Sequence, residues 1–235
     1  MILETEFPFL AEKGRVVSLV GGGGKTTLLY AMARHCAQKG WRVLVSTTTH
    51  IRCPQNGAWA QTDAQLAALW AQGRYAVAGT AAPSGKLTFP LQEQWAGWRP
   101  QADFVLLEAD GAKRLPCKAP AAHEPVLLPE SDVVLAVAGL SALGRPLREV
   151  CFRTEYACAL LHTGPETLLT PELLAQLLAS REGGRRQVGS RTFYAVLNQA
   201  DTAQRRALGQ QTADLLQKQY GVNCRLTAFT EKERA

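Results

Sequence analysis

Residues 21–27 are four glycines, a lysine and two threonines, and they lie between a β-branched segment and a helical pattern. Glycines permit a turn whose backbone N–H groups face an anion, and the helix that follows adds the positive end of its dipole. The lysine would neutralise charge on the β- and γ-phosphates, and the first threonine hydroxyl would bind Mg²⁺. A glycine turn with an incidental lysine is the simpler alternative. The spacing predicts a nucleoside triphosphate site made of Gly21, Gly22, Gly23, Gly24, Lys25, Thr26 and Thr27.

The run departs from the standard phosphate-binding loop in one respect. That pattern has a glycine six residues before the lysine, where this chain has Leu19. The run resembles the compact Gly-Gly-x-Gly-Lys-Thr form of signal-recognition GTPases, nickel-insertion GTPases and partitioning ATPases. Some members of that class carry a second lysine directly before the first glycine, where this chain has Val20. The pattern therefore disfavours an ATPase that relies on that second lysine.

Two carboxylates follow the apolar run of residues 104–107, which is typical of a buried parallel strand. A strand beside the phosphate loop needs an acid at its carboxyl end to hold the metal, so we expect Glu108 and Thr26 to bind Mg²⁺. Asp110 is predicted to orient the attacking nucleophile, which makes Lys25 and Asp110 the candidate catalytic residues. An ordinary Asp-Gly turn is the alternative interpretation of Asp110 and Gly111.

Threonines follow the second predicted strand at the same edge of the sheet. Ligands of open α/β folds bind at that edge, so Thr47, Thr48 and Thr49 are candidates for contact with the metal or the nucleophile. Threonines are also ordinary strand residues, and the two interpretations have equal weight. Soft ligands also occur in this region, and one hypothesis is a metal held by His50, Cys53, Cys117 and His123.

The elements needed to position these residues are predicted from periodicity. Strands are expected at residues 15–20, 41–46, 75–78, 104–107, 133–137, 194–197 and 223–226. Helices are expected after the glycines, to Lys39-Gly40, and at residues 63–72, 91–98, 170–180 and 202–220. Strand, glycine loop, helix and strand form a βαβ unit, which implies a parallel sheet. We expect a doubly wound α/β fold of the P-loop NTPase type, as one domain over residues 1–235 with an elaborated middle at about residues 50–100.

Composition excludes several classes of protein. Hydrophobic residues make up 46% of the chain, enough for a sizeable core, so a disordered or collagen-like chain is excluded. The net charge of +6 comes without an arginine-rich tract interleaved with aromatic residues, which favours a small phosphorylated ligand over nucleic acid. No stretch approaches the roughly 18 apolar residues of a membrane span. Two acids in residues 1–6 and six cysteines without a Cys-x-x-Cys pair favour a cytoplasmic protein.

The sequence resembles the YqeC family of accessory proteins for selenium-dependent molybdenum hydroxylases. The resemblance runs from about residue 15 to 201 and is carried by the glycine run, residues 46–49, 108–113 and 118–125. It implies nucleotide hydrolysis in the maturation or insertion of a selenium-containing cofactor, with a molybdenum hydroxylase or another maturation protein as partner. It also favours a docking loop for a second substrate or partner, formed by Lys113, Lys118, His123 and Glu124, although a solvated surface crossing is the simpler interpretation.

The family pattern near the end of the chain is Asn-Lys-x-Asp, and here it is Asn198-Gln199-Ala200-Asp201. Asp201 would accept two hydrogen bonds from guanine, whereas adenine offers no such pair of donors. The equal alternative is that Asp201 caps the last helix, with Gln204 completing a capping box. The sequence therefore leaves ATP and GTP open, with Asn198 and Asp201 as candidate nucleotide-binding residues.

Two other functions stay open. A small-molecule kinase would bind its acceptor in residues 113–124, and a nucleotide-sensing module would change partners without hydrolysis. A homodimer that encloses the nucleotide is common in this class of proteins, and the expectation of one here rests on analogy alone.

Overall fold

The computed structural model describes residues 3–83 and 85–229. Its helices are α1 (Leu3–Glu6), α2 (Lys25–Gln38), α3 (Asp63–Ala71), α4 (Gln92–Trp98), α5 (Leu147–Val150), α6 (Thr154–Leu161), α7 (Pro171–Ala179) and α8 (Ala203–Tyr220). Its strands are β1 (Val16–Gly21), β2 (Val43–Thr47), β3 (Ile51–Arg52), β4 (Trp59–Ala60), β5 (Ala76–Ala78), β6 (Thr80–Ala81), β7 (Lys86–Thr88), β8 (Phe104–Glu108), β9 (Cys117–Lys118), β10 (Val133–Gly139), β11 (Cys151–Phe152), β12 (Thr192–Asn198) and β13 (Cys224–Leu226). Short 3-10 helices lie at Pro8–Ala11, Arg99–Gln101 and Leu140–Ala142.

Eight strands form the main sheet in the order β13-β12-β10-β1-β8-β2-β5-β4. Every neighbouring pair in it is parallel. Strand β1 lies at the centre, where Ser18 pairs with Val134 of β10 and with Leu107 of β8. Because all eight strands run the same way, their carboxyl ends meet at one edge, and the glycines follow β1 at that edge.

Alternate residues of the central strands face opposite sides of the sheet, and both sides are covered. Val17 and Leu19 pack with α2 on one face. On the other face, Val16 packs in the cluster that contains residues of α3 and α4, and Val20 packs in the cluster that contains residues of α6, α7 and α8. Strands buried on both faces consist of continuous apolar residues, as the sequence of β8 and β10 shows. The predicted α/β class, a parallel sheet with helices on both faces, is confirmed.

Helix α2 follows from the sequence pattern after the glycines. Its apolar residues at helical spacing, Leu28, Leu29, Met32 and Cys36, are all fully buried. The helix ends at Gln38, and Gly40 follows in a left-handed conformation. The helix therefore begins directly at the lysine of the glycine run, and its amino end lies at the carboxyl edge of the sheet.

The other long helices and the central strands lie where periodicity predicts them. Residues 50–100 hold α3, α4 and a three-stranded antiparallel sheet of β3, β7 and β6 in addition to two strands of the main sheet. Helix α6 and the two-residue pairing of β9 with β11 were not predicted. The extent of the domain, residues 1–235, stays a prediction, and residues 1–2 of the acidic amino-terminal segment lie outside the described residues. Over residues 3–83 and 85–229, no helix combines the length and apolar character that a bilayer crossing requires.

Candidate functional site

The glycine bend, residues 21–24, is supported by main-chain atoms of two other segments. The Gly22 N–H donates to the Val137 carbonyl at the end of β10 over 2.8 Å. The Gly23 N–H donates to the Leu115 carbonyl over 3.1 Å. These two amides are therefore already paired within the protein, so an anion would have to be bound by the amides further along the chain.

Those further amides belong to the first turn of α2, which starts at Lys25. The first amides of a helix have no carbonyl one turn earlier to accept from them. Gly24, which precedes the helix, has φ +107° and supplies no side-chain cap. A Ser, Thr or Asp at this position would occupy one of those amides with its own oxygen. The amino end of α2 thus keeps its donors and its dipole for an anionic ligand.

Lys25 is buried beside the bend, with 5% of its surface exposed. Its ammonium donates to the Gly21 carbonyl and lies 3.0 Å from Asp110 Oδ1 and 4.0 Å from Glu108 Oε1. Burial by itself lowers the pKa of Lys25, but the charges of Asp110 and Glu108 outweigh burial and raise that pKa above its usual value. The site therefore holds a fixed positive charge at the start of the helix.

Thr26 and Glu108, the predicted metal ligands, are brought together. The Thr26 hydroxyl donates to Glu108 Oε2 over 2.8 Å. Burial raises the pKa of Glu108, and the Lys25 charge and the Thr26 hydrogen bond offset this only in part. A hydroxyl and a carboxylate are the hard oxygen donors that Mg²⁺ prefers, and such sites take their remaining ligands from phosphates and water. The donor set therefore fits a nucleotide-bound Mg²⁺.

Asp110 is held by protein groups on both carboxylate oxygens. The Gly21 N–H donates to Oδ1 and Oδ2 at 3.1 and 2.9 Å. Lys25 lies 3.0 Å from Oδ1, and Lys118 lies 3.0 Å from Oδ2. With 1% of its surface exposed, Asp110 links the glycine bend to two lysines. Its role toward a nucleophile stays a prediction.

The four residues of the predicted docking loop separate into two kinds. Lys113 and His123 are exposed, whereas Lys118 and Glu124 are buried. Lys118 lies 2.8 Å from Glu124 Oε2, and Arg153 Nη1 lies 2.7 Å from the same oxygen. Half of the proposed docking set is therefore internal to the protein. Sequence reasoning did not include Arg153, because nothing near residue 153 in the sequence marks it as a partner of Glu124.

The three threonines at the end of β2 are held by hydrogen bonds to one another and to two other segments. Thr47 Oγ1 donates to the Glu108 carbonyl over 2.8 Å and accepts from the Thr49 N–H at 3.0 Å. Thr48 Oγ1 donates to the Val126 carbonyl over 2.7 Å. Thr47 thus fixes the backbone of Glu108, and all three threonines lie at the edge where they were expected.

Strand β12 contacts the glycine bend through its last residue, Asn198. Asn198 Nδ2 donates to the Gly23 carbonyl over 2.8 Å, and its Oδ1 accepts from Thr227 over 3.0 Å. Thr202, and not Asp201, caps α8, with its side chain accepting from the Arg205 N–H. The alternative in which Asp201 is the cap is therefore wrong. Asp201 is exposed and lies 3.5 Å from Arg205 Nη1.

The hypothesis of a soft metal site receives no support from the structure. Among the residues that the structure describes, no three His, Cys, Asp or Glu side chains are grouped closely enough to hold a metal ion. Cys117 is buried and pairs with Cys151 in the β9–β11 ladder, while His50 and His123 are exposed.

Comparisons with known proteins agree with one another. Residues 17–155 match the family model described as YqeC protein. The chain is 34% identical over 149 residues to a protein of Escherichia coli (strain K12) named "Uncharacterized protein YqeC". That match spans 55% of this chain and 53% of the relative.

Proposed function

This chain belongs to the YqeC family, and we propose that it binds and hydrolyses a nucleoside triphosphate with Mg²⁺. One observation carries the proposal: a buried lysine ammonium lies inside a glycine bend at the start of an uncapped helix. A hydrogen-bonded hydroxyl–carboxylate pair lies beside it. A fixed cation, unpaired helix amides and hard oxygen ligands are what a triphosphate and its metal require.

In the proposed mechanism, positioning and electrostatics do most of the work. The Lys25 ammonium exchanges the Gly21 carbonyl for phosphate oxygens, and the first-turn amides of α2 donate to the same phosphates. Thr26 and Glu108 would hold Mg²⁺, which neutralises phosphate charge when bound. Asp110, fixed by the Gly21 N–H, would orient the nucleophile. Thr47 holds the Glu108 backbone so that the carboxylate keeps its place.

The cellular role that we propose follows from the family resemblance. Hydrolysis would assist the maturation or insertion of a selenium-containing cofactor in a molybdenum hydroxylase, with that enzyme or another maturation protein as partner. The kinase alternative needs an acceptor site in residues 113–124. Two of the four residues expected to form that site, Lys118 and Glu124, are committed to buried ion pairs, which favours hydrolysis over transfer to a small molecule.

Calorimetric titration with ATP and GTP, with and without Mg²⁺, tests the proposal. The wild-type protein should bind at least one of them, and Lys25→Ala should weaken binding by about 100-fold, because a charge-assisted contact to phosphate is worth roughly 1.5–3 kcal/mol. Lys218→Ala, which removes an exposed lysine of α8, is the matched control and should bind like the wild type. If neither the wild type nor Lys25→Ala gives a heat of binding with ATP or GTP, the proposal of nucleotide binding is rejected. Binding without phosphate release would leave a sensor rather than a hydrolase.

A further inference from the structure

Asp110 lies between two lysine ammoniums that approach different oxygens of its carboxylate. Lys25 lies 3.0 Å from Oδ1, and Lys118 lies 3.0 Å from Oδ2. Of these two lysines, Lys25 is the one that the proposed mechanism moves toward phosphate. The charge on Asp110, which is almost completely buried, must stay compensated after that movement.

Leaving the charge of the Asp110 carboxylate without a nearby cation would cost much free energy. Removing one partner of a buried ion pair leaves an unpaired charge, which typically costs about 3–5 kcal/mol. If Lys25 were the sole partner of Asp110, a nucleotide would have to overcome that cost in order to recruit the lysine. Lys25 would then be held by the carboxylate, and affinity for the triphosphate would fall.

Lys118 is built to stay in place. Its side chain is fully buried, and an ammonium has three N–H donors. Three acceptors surround it, namely Asp110 Oδ2 at 3.0 Å, Glu124 Oε2 at 2.8 Å and the Gly111 carbonyl at 2.7 Å. Arg153 Nη1 lies 2.7 Å from the same Glu124 oxygen, so a second positive charge faces that carboxylate. The Lys118 ammonium therefore donates to the Gly111 carbonyl and faces two carboxylates of the protein.

We propose that Lys118 is a positioning residue that keeps Asp110 paired while Lys25 turns to the phosphates, so that Lys25 is free to bind nucleotide. This inference rests on the proposed function. It explains why a lysine in the expected docking loop is buried. It also fits the local charge, because the lysines 25 and 118 and Arg153 balance three carboxylates, those of Glu108, Asp110 and Glu124. Without Lys118, the group would carry one excess negative charge next to the phosphate site.

The test measures nucleotide affinity in a double-mutant cycle. Lys118→Met should weaken binding by about tenfold or more, although Lys118 does not contact the nucleotide. In an Asp110→Asn background, position 110 carries no charge to compensate and Glu124 still faces Arg153, so the same substitution should change affinity by less than about threefold. Lys218→Met is the matched control, and thermal unfolding of each variant shows whether it is folded.

Each outcome decides one question. A wild-type protein that binds no nucleotide rejects the proposed function, whatever the variants do. A wild type that binds while Lys118→Met binds equally well overturns the inference alone. So does a loss that is the same in both backgrounds, because a merely structural role would not depend on Asp110. Should Lys118→Met not fold, Lys118→Gln takes its place in the cycle: it also removes the positive charge beside Asp110, and an affinity equal to that of the wild type contradicts the inference.

Discussion

Gly23 shows how tightly the glycine bend is packed at the level of single residues. Its φ is +71°, and a Cβ added there would lie 2.0 Å from the backbone nitrogen of Gly139. Real Cβ atoms do not approach backbone atoms so closely, and a left-handed conformation disfavours any side chain. Close packing against the end of β10 therefore requires glycine at position 23, whether or not a phosphate is bound.

Gly23→Ala should therefore lower the free energy of unfolding by about 3 kcal/mol or more, since it combines overpacking with backbone strain. Gly111→Ala is the control, because a Cβ at that glycine meets nothing within 4 Å. Urea unfolding followed by circular dichroism measures both. Similar midpoints for the two variants would contradict the packing argument.

Asp201 gives a second prediction at this scale. Thr202 caps α8, and the Asp201 carboxylate lies 3.5 Å from Arg205 Nη1. We propose that this exposed carboxylate also recognises guanine. We expect GTP to bind more tightly than ATP, and Asp201→Asn to weaken GTP binding by about tenfold or more, because hydrogen bonds to a charged group are worth roughly 1.5–3 kcal/mol. ATP affinity is the internal control in the same titration. Equal loss for both nucleotides would point away from the base.

Single residues also show where sequence reasoning succeeds and where it fails. Lys25, Thr26 and Glu108 could be placed together, because the glycine run and the strand end each have a strong local pattern. Lys118 and Glu124 were expected at the surface, since a proline-rich loop with bases is normally solvated. Both are buried, and Glu124 lies beside Arg153, far along the chain; no local pattern reveals an ion pair of that separation.

At the scale of elements, the amino ends of β2 and β8 are joined by Asp103. Its carboxylate accepts from the Arg42 N–H at 2.8 Å and lies 3.5 Å from the Lys13 ammonium. Burial alone raises the pKa of Asp103, but the hydrogen bonds from Arg42 and the charges of Arg42 and Lys13 outweigh burial and lower that pKa. The ionised carboxylate therefore stabilises the folded state.

Asp103→Asn should destabilise the protein at pH 7 by about 1.5 kcal/mol, the lower end of the range for hydrogen bonds to a charged group, because the Arg42 side chain is largely exposed to solvent. A pKa that is lowered on folding gives stability that is present above the unfolded pKa, about 3.9, and is lost as the pH falls through the folded pKa. The difference in melting temperature between variant and wild type should therefore shrink below about pH 4. A difference that persists at pH 2.5 would assign the effect to packing.

Periodicity predicted the central strands and long helices because each buries a continuous or regularly spaced set of apolar residues. Helix α6 was not predicted, because Arg153, which precedes it, has a left-handed conformation and provides no side-chain cap. The pairing of β9 with β11 involves two residues per strand, too few for a pattern. Helices and strands that form because of contacts with distant residues, and not because of their own residue pattern, could not be predicted from the sequence.

At the scale of the whole molecule, the amino-terminal residues Glu6 and Phe7 pack against β12 and β13. Phe7 is fully buried, and its ring lies 5.7 Å from Phe9 and 6.4 Å from Tyr194 of β12. Arg225 Nε of β13 donates to the Glu6 carbonyl over 2.6 Å. Residues some 220 positions apart therefore belong to one packed region.

Phe7→Ala should reduce the free energy of unfolding by about 3–5 kcal/mol, since deleting a fully buried ring leaves a cavity. The control is Leu91→Ala, whose side chain is 68% exposed, and it should change stability by less than about 0.5 kcal/mol. Guanidinium unfolding monitored by fluorescence distinguishes them. Equal midpoints would mean that the amino-terminal segment detaches without affecting the sheet.

The close packing of the glycine bend has a consequence for the history of this protein. A side chain that blocks a substitution can itself be exchanged for a smaller one, so most steric conflicts have a second mutation that relieves them. At Gly21, Gly22 and Gly23 the obstructing atoms belong to main chain, which every amino acid carries. No side-chain replacement elsewhere makes room, so these three positions can accept another residue only if the backbone at the end of β10 or at residues 115–117 moves.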